Sequence, residues 1–291
     1  MKQVPMLPDN IENIIKQFIQ RKLSENELRM SFPNQLLRDD VLALLGEFCT
    51  VVYYPLENES NNGFHVNIPC GNGDRQDFVF INTAQAMEKQ IFTAAHELGH
   101  IWKVDEELLP QVNLENSIEN HELIINRFAA ALLIPEENFE EVLSVEFRKL
   151  ANPDHTISLL NMYKLIVILM NHFFVPMKAI VLRLRELRCI EPSDADLLLG
   201  RNTREEGTID DIIQKLVQEL GFTRLLKASN KKWIDGLSEK LDLAEEMQAL
   251  PQEKIEHIRD EFGLPFPVQD KINLSNTISF SPQGDVNIDA N

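Results

Sequence analysis

A chain of 291 residues is longer than one compact domain usually is, so a core domain with a smaller appended unit is expected. With 44% apolar and 25% charged residues, the composition is that of an ordinary globular protein and excludes a disordered, fibrous or membrane-embedded chain. A formal net charge of -18 repels a phosphate backbone, so direct binding of nucleic acid is not expected.

The N-terminal MKQVPMLPDN has no apolar run and breaks at two prolines, so it does not resemble a secretory signal, and a cytoplasmic location is expected. Residues 1–48 read as a helical lead-in, with Ile14, Ile15, Phe18 and Ile19 and then Leu36, Leu37, Val41 and Leu44 at helical spacing. Three segments with strand character follow, CTVVYY, FHVNIP and DFVFIN, joined by the turn-rich ENESNNG and CGNGDRQ, and they predict a small, mostly antiparallel sheet. Gly71 to Asp74 read as a hairpin turn and not as a phosphate-cradling loop, because no helix start with a lysine follows at the required distance.

Asn82 is placed to cap the next helix, with Gln85 at the reciprocal capping-box position. Met87, Ile91, Ala94, Ala95, Leu98 and Ile101 then form one apolar stripe. A second helix is expected from about Asn116 to Ile134, ended by Pro135. Further helices are predicted over 138–151, 157–172 and 177–187. The apolar run from Leu159 to Leu182 contains Lys164, Asn171, His172, Pro176 and Lys178, which predicts two packed core helices divided at Pro176 and no membrane span. Arg183, Arg185 and Arg188 read as a solvated helix face.

Cys49, Cys70 and Cys189 are too few and too scattered for a disulfide framework and read as buried small apolar side chains. Residues 200–291 turn acidic and polar with helical spacing, and read as a separate, mostly helical region for regulation or substrate capture. The tail from Asn276 has too little apolar content for a core, though it can add an edge strand or dock a partner.

The chemistry is carried by His96, Glu97, Leu98, Gly99 and His100, an HExxH pattern in mid-helix. Positions i and i+4 share a helix face, so both imidazoles can reach one zinc ion, while Glu97 lies one position on, toward the open side. Zinc lowers the pKa of its water and polarises a scissile carbonyl, and the glutamate takes the proton and passes it to the leaving amine. Gly99 costs about 1 kcal/mol in a helix interior, which suggests close approach of another backbone or of the metal shell. A catalytic site needs a third protein ligand. The second helix offers Glu122, with Asn126 one turn on to hold the far nitrogen of a ligand histidine; Glu119 is the rival, and His121 points about 100° away from Glu122. His65, His155, His172 and His257 have no partner at ligand spacing and are given no role.

The segment AAHELGHIW followed by ENHELIINRFAAALLIP resembles the ImmA/IrrE family of metallopeptidases of bacteria, phages and mobile elements, and the likeness spans roughly Cys49 to Ile190, including FFVPMKAIVLRLRELRCI. It implies a zincin-like α+β fold over residues 49–199. It also implies zinc held by His96, His100 and Glu122, with catalytic Glu97. Glu122 falls four residues before Asn126 in a segment ending Phe128, Ala129, Ala130, Leu132, Leu133 and Pro135, as the family's third ligand does. The expected activity is endopeptidase cleavage of a regulatory protein such as a helix-turn-helix repressor. Ile125 departs from the alanine usual in the family and is expected to reshape local packing.

Two other classes compete. A zinc-binding sensor or scaffold would regulate a partner without cleavage, but a structural site needs four protein ligands and no base, against which Glu97 stands. A DNA-binding regulator is suggested by LIVILMNHFFVPMKAIVLRL as a helix-turn-helix. The acidic balance and the apolar second helix oppose it.

Overall fold

The computed structural model describes residues 7–8, 10–25, 36–58, 60–70, 73–112, 114–200 and 206–265. The chain divides into two compact units, Met1–Asp235 and Gly236–Asn291. In chain order the first holds α1 (Ile11–Glu25), α2 (Asp40–Gly46), β1 (Thr50–Tyr54), β2 (Gly63–Pro69), β3 (Arg75–Asn82), α3 (Met87–Ile101) and α4 (Val104–Leu108). A 3-10 turn (Leu109–Val112) leads to α5 (Ile118–Leu133), α6 (Glu136–Leu150), α7 (Leu159–Phe173), α8 (Met177–Glu186), α9 (Pro192–Leu198), α10 (Glu206–Glu219) and β4 (Trp233–Ile234). The second holds α11 (Leu237–Glu246) and α12 (Gln252–Phe262). The molecule is thus α+β, as expected.

The sheet order is β2-β3-β1-β4. β3 pairs antiparallel with β2 and parallel with β1, and β4 adds antiparallel to β1. The sheet is therefore mixed, because the chain leaves β1, crosses to the outer edge for β2 and returns as β3 between them. The hairpin between β2 and β3 is closed by the Gly73 N–H bonded to Cys70 O and the Cys70 N–H bonded to Asp74 O. Gly71 and Asn72 of the predicted turn lie outside the described residues. At Gly63 a side chain is impossible without rearrangement, since a Cβ would stand 2.4 Å from Phe80 O and 2.7 Å from Thr93 Cγ2. Only glycine lets this end of β2 lie so close to β3 and α3.

Val79 and Ile81 of β3, Ile91, Ala94 and Leu98 of α3, and Ile124, Ile125 and Phe128 of α5 are fully buried together in the core. α7 and α8 complete it and meet at a 103° bend after Val175, where Pro176 starts the new helix. Among the described residues no single helix is long and apolar enough to cross a membrane. The middle of α8, from Ala179 to Leu184, is buried at Ala179, Ile180, Val181, Arg183 and Leu184, so this helix serves the core.

Arg183 corrects the reading of a solvated basic face. It is 0% exposed, with Nη2 2.6 Å and Nη1 2.9 Å from the two oxygens of Glu12, and its Nε donates to Ile134 O at 3.1 Å. Arg127 of α5 joins it, donating to Glu12 at 2.6 Å and pairing with Glu186. A buried guanidinium has no deprotonated escape, so its carboxylate partners are structural necessities. The lead-in helix α1 is thereby bound to α5 and α8, and belongs to the same compact unit.

That unit also runs to Asp235, beyond the boundary placed at Gly200 in the sequence, because α10 packs on α7 and β4 pairs with β1. In the second unit Leu241 and Ile255 are buried, and Arg259 bonds Asp242 at 2.5 Å. The tail from Asn276 lies outside the described residues. The three cysteines are free, with Cys49 and Cys70 half-buried and Cys189 exposed, so they do not form the buried apolar set expected.

Candidate metal centre

The start of α3 differs from the capping-box expectation. The helix begins at Met87 with Ala86 at its N-cap and no side-chain cap. Asn82 works upstream instead. Its Oδ1 accepts from the Leu56 and Ala84 N–H groups at 3.0 Å, and its Nδ2 donates to Asn61 O at 2.6 Å. The free donors of the helix start are met from a distant segment: the Met87 N–H bonds Lys227 O at 2.9 Å, and Ala86 bridges Ala228. In return the buried Glu88 carboxylate accepts the Leu226 N–H at 3.2 Å. Burial raises the Glu88 pKa, and the backbone donors only partly offset it. This strap of residues 226–231 was not visible in the sequence; its one trace is an acid in the first turn of a helix, a feature of most helices.

From that start α3 carries its apolar stripe into the core and sets His96, Glu97 and His100 on the side facing α5 and the cleft. α5 is started by Ser117, whose hydroxyl accepts the Asn120 N–H. One turn in, Glu122 reaches the two histidines. His96 Nε2 and His100 Nε2 lie 3.2 Å apart, with Glu122 Oε2 3.4 Å from the first and Oε1 3.7 Å from the second. Among the described residues, His96, His100 and Glu122 form the group with donor atoms close enough to hold one metal ion.

Asn126 fixes the arrangement one turn further. Its Nδ2 donates to Glu122 O at 2.7 Å, which turns Oδ1 toward His96 Nδ1 at 3.2 Å. The Nδ1 of His96 is then the protonated nitrogen, and Nε2 presents its lone pair to the centre. Burial, and then the charge of His100, hold the His96 imidazole below its ordinary pKa, which keeps it in the neutral form a cation requires. Two imidazole nitrogens and a carboxylate converging within 4.8 Å of one another form a donor set suited to a cation.

Glu97 is 6% exposed and lines the same cleft as His96, Glu122 and Asn126. Burial, with the Glu122 charge behind it, pushes its pKa up to about 7. Glu119, the rival ligand, is exposed and outside the donor group. His121 is turned away to Asp105 at 2.6 Å and Asn116 at 2.7 Å, where it ties α5 to α4. His65 pairs with Asp77 at 2.7 Å on the sheet hairpin, away from the donor group.

Gly99 makes room for side chains, neither backbone nor metal shell. A Cβ there would stand 3.0 Å from Phe128 Cδ1 and 3.1 Å from Ile125 Cδ1. The bulk of Ile125 thus fills the space that Gly99 leaves, and α3 and α5 approach closely enough for their donors to converge.

The model of the IrrE N-terminal-like domain, an M78 peptidase family, matches residues 49–185. No curated protein matches the chain. Among solved structures, a Mycobacterium tuberculosis transcriptional regulator is similar at 13% identity with a TM-score of 0.37, over 60% of this chain and 51% of that one. The chain therefore spans about half the length of that regulator.

Proposed function

Residues 49–185 being an IrrE N-terminal-like domain of the M78 peptidases, we propose that the chain is a zinc-dependent endopeptidase. The observation that carries this reading is the convergence of His96, His100 and Glu122 on one point in the wall of a cleft that also holds the buried Glu97. Zinc fits the donors: bonds of about 2.0–2.1 Å in a tetrahedron leave donor atoms about 3.3–3.4 Å apart, and the edges here are 3.2, 3.4 and 3.7 Å. Three protein donors leave one position for a reactant, the pattern of a catalytic site.

The ion would supply Lewis acidity, lowering the pKa of a water and polarising the scissile carbonyl. The chain's own residues do the rest. Glu97 takes a proton from the attacking water and delivers it to the departing amine nitrogen. Asn126 holds His96 in the tautomer that can coordinate. The protein wall around Glu97 excludes bulk water, which strengthens the carboxylate's interaction with a cation.

The proposed substrate is a regulatory protein such as a helix-turn-helix repressor. The family likeness supports this, and a bacterial setting with it; the cytoplasmic location is proposed from the three free cysteines, and the lack of direct contact to nucleic acid from the net charge of -18. The test is native mass spectrometry of the intact chain beside His96→Ala and Glu122→Ala, joined to a cleavage assay. The wild type holds one zinc ion and both variants lose it, while Glu97→Gln keeps the metal and loses cleavage. A Glu97→Gln variant that retains full biological effect would instead make the chain a zinc-dependent sensor.

A further inference from the structure

The second unit is built on two short helices, and each turns one side inward. Leu241 of α11 and Ile255 of α12 are 3% and 1% exposed. Arg259, one turn after Ile255 and also buried, bonds Asp242 at 2.5 Å and Pro265 O at 2.9 Å. These contacts decide which side of α11 is left outside. Leu243 stands two positions from Leu241, so the two side chains point about 200° apart, and Met247 follows Leu243 by one turn. Leu243 is 54% exposed and Met247 69% exposed. Leu250, just before the Pro251 that caps α12, is 38% exposed.

Large apolar side chains one turn apart on the outer side of a helix form a ridge that suits a partner helix. Carboxylates border this one: Glu239 lies one turn before Leu243 and Glu246 three residues after it, and both are exposed. Lys240 is the cation of α11. From Gly236 to Pro265 the chain carries eight carboxylates and three cations, a net charge of -5, and one of those cations, Arg259, is buried in its own ion pair.

The sign of that charge discriminates among occupants. A second copy brings a net charge of -18. Residues 266–291 of this chain, with Asp270, Asp285 and Asp289 against Lys271, bring -2. Nucleic acid and anionic lipid are repelled in the same way. A positively charged amphipathic helix matches both features, its apolar side meeting Leu243 and Met247 and its cations meeting the carboxylates.

We propose that the outer side of α11 is a docking surface for a basic amphipathic helix of a partner protein. A third helix laid there covers the apolar side chains that α11 and α12 leave outside. The partner is then held on the same chain as the metal centre, at a raised effective concentration. The surface is defined by binding alone, so it stands or falls apart from the peptidase reading.

The test is fluorescence anisotropy with the full chain carrying Glu97→Gln, which guards the probe against digestion. The probe is a labelled helical peptide with leucines along one side and lysines elsewhere. One control has the same composition with the leucines scattered, and the other keeps the leucines and replaces the lysines by glutamates. The one-sided lysine peptide is expected to bind about tenfold or more tightly than either control. Leu243→Ser combined with Met247→Ser weakens it about tenfold and leaves the circular dichroism unchanged, since both side chains are exposed. Glu239→Lys combined with Glu246→Lys also weakens it, and flattens its dependence on salt. Equal binding of the scattered and one-sided lysine peptides shows attraction by bulk charge alone and overturns the surface. Equal binding of the glutamate peptide removes the cationic partner and overturns it too. So does binding that the paired serines leave unchanged, or a wild-type dimer that they dissolve, which makes a second copy the occupant.

Discussion

Gly99 and Ile125 occupy one shared space between α3 and α5, so a methyl group on the first would lie 3.1 Å from Cδ1 of the second and 3.2 Å from its Cγ2. Alanine at 99 gains about 1 kcal/mol of helix propensity and loses about 1–3 kcal/mol to overpacking. Gly99→Ala is expected to destabilise the fold by about 1 kcal/mol, and Ile125→Ala in the same chain to recover most of that. A double-mutant cycle by denaturant unfolding reads the coupling, and additive effects would show that the two positions do not share the space.

Asn126 touches no substrate in the proposed chemistry, yet it sets the tautomer of His96. Asn126→Ala is expected to weaken zinc binding by about 10–100-fold, measured by competition with a chelator, while Asn126→Asp keeps most of the affinity. Equal affinity in wild type and Asn126→Ala would mean that the 3.2 Å contact with His96 does not orient the ring.

Stability has an acid limb set by Glu12. Burial acts to raise its pKa, but the hydrogen bonds and charges of Arg183 and Arg127 outweigh it and hold the carboxyl below its ordinary value of 4.5. A depressed carboxyl stabilises the fold above the unfolded pKa, and that contribution is lost as pH falls through the lower folded value. Glu12→Gln is expected to cost about 3 kcal/mol at neutral pH by leaving two buried guanidinium groups underpaired. The difference from wild type should stay constant above pH 4.5 and shrink below it, as urea unfolding at stepped pH would show. A difference independent of pH down to the acid transition would remove Glu12 from the account.

Glu88→Ala leaves the Leu226 N–H without its carboxylate, a loss of about 1–3 kcal/mol if the donor stays buried. Hydrogen exchange is the direct reading: the Leu226 and Met87 amides should exchange faster while those in the middle of α5 do not. Unchanged protection at Met87 would show that the strap holds without Glu88.

The grouping of His96, His100 and Glu122 in the candidate metal centre was legible because helical spacing is local. An i, i+4 pair in HExxH, and another in Glu122 and Asn126, place four side chains on two faces before any tertiary contact is known. The sheet was legible only as three strands. Its parallel β1–β3 pairing depends on a crossover that no turn motif encodes, and β4 is two residues long with nothing in Trp233–Ile234 to announce it. Asn82 had the right chemistry for a cap and was taken by a different set of backbone groups. Arg183 read as solvated because its partner Glu12 stands 171 positions away in sequence. Only the fold could show that charge to be internal.

The strap also orders events in time. A chain leaving the ribosome exposes His96, Glu97 and His100 well before residues 226–231, which complete the start of their helix. At about 5–20 residues per second, the interval is on the order of ten seconds, during which the newborn α3 has no partner for the Met87 N–H and β1 has no β4 beside it. A fragment ended at residue 185, where the family likeness stops, would remain in that unfinished state permanently.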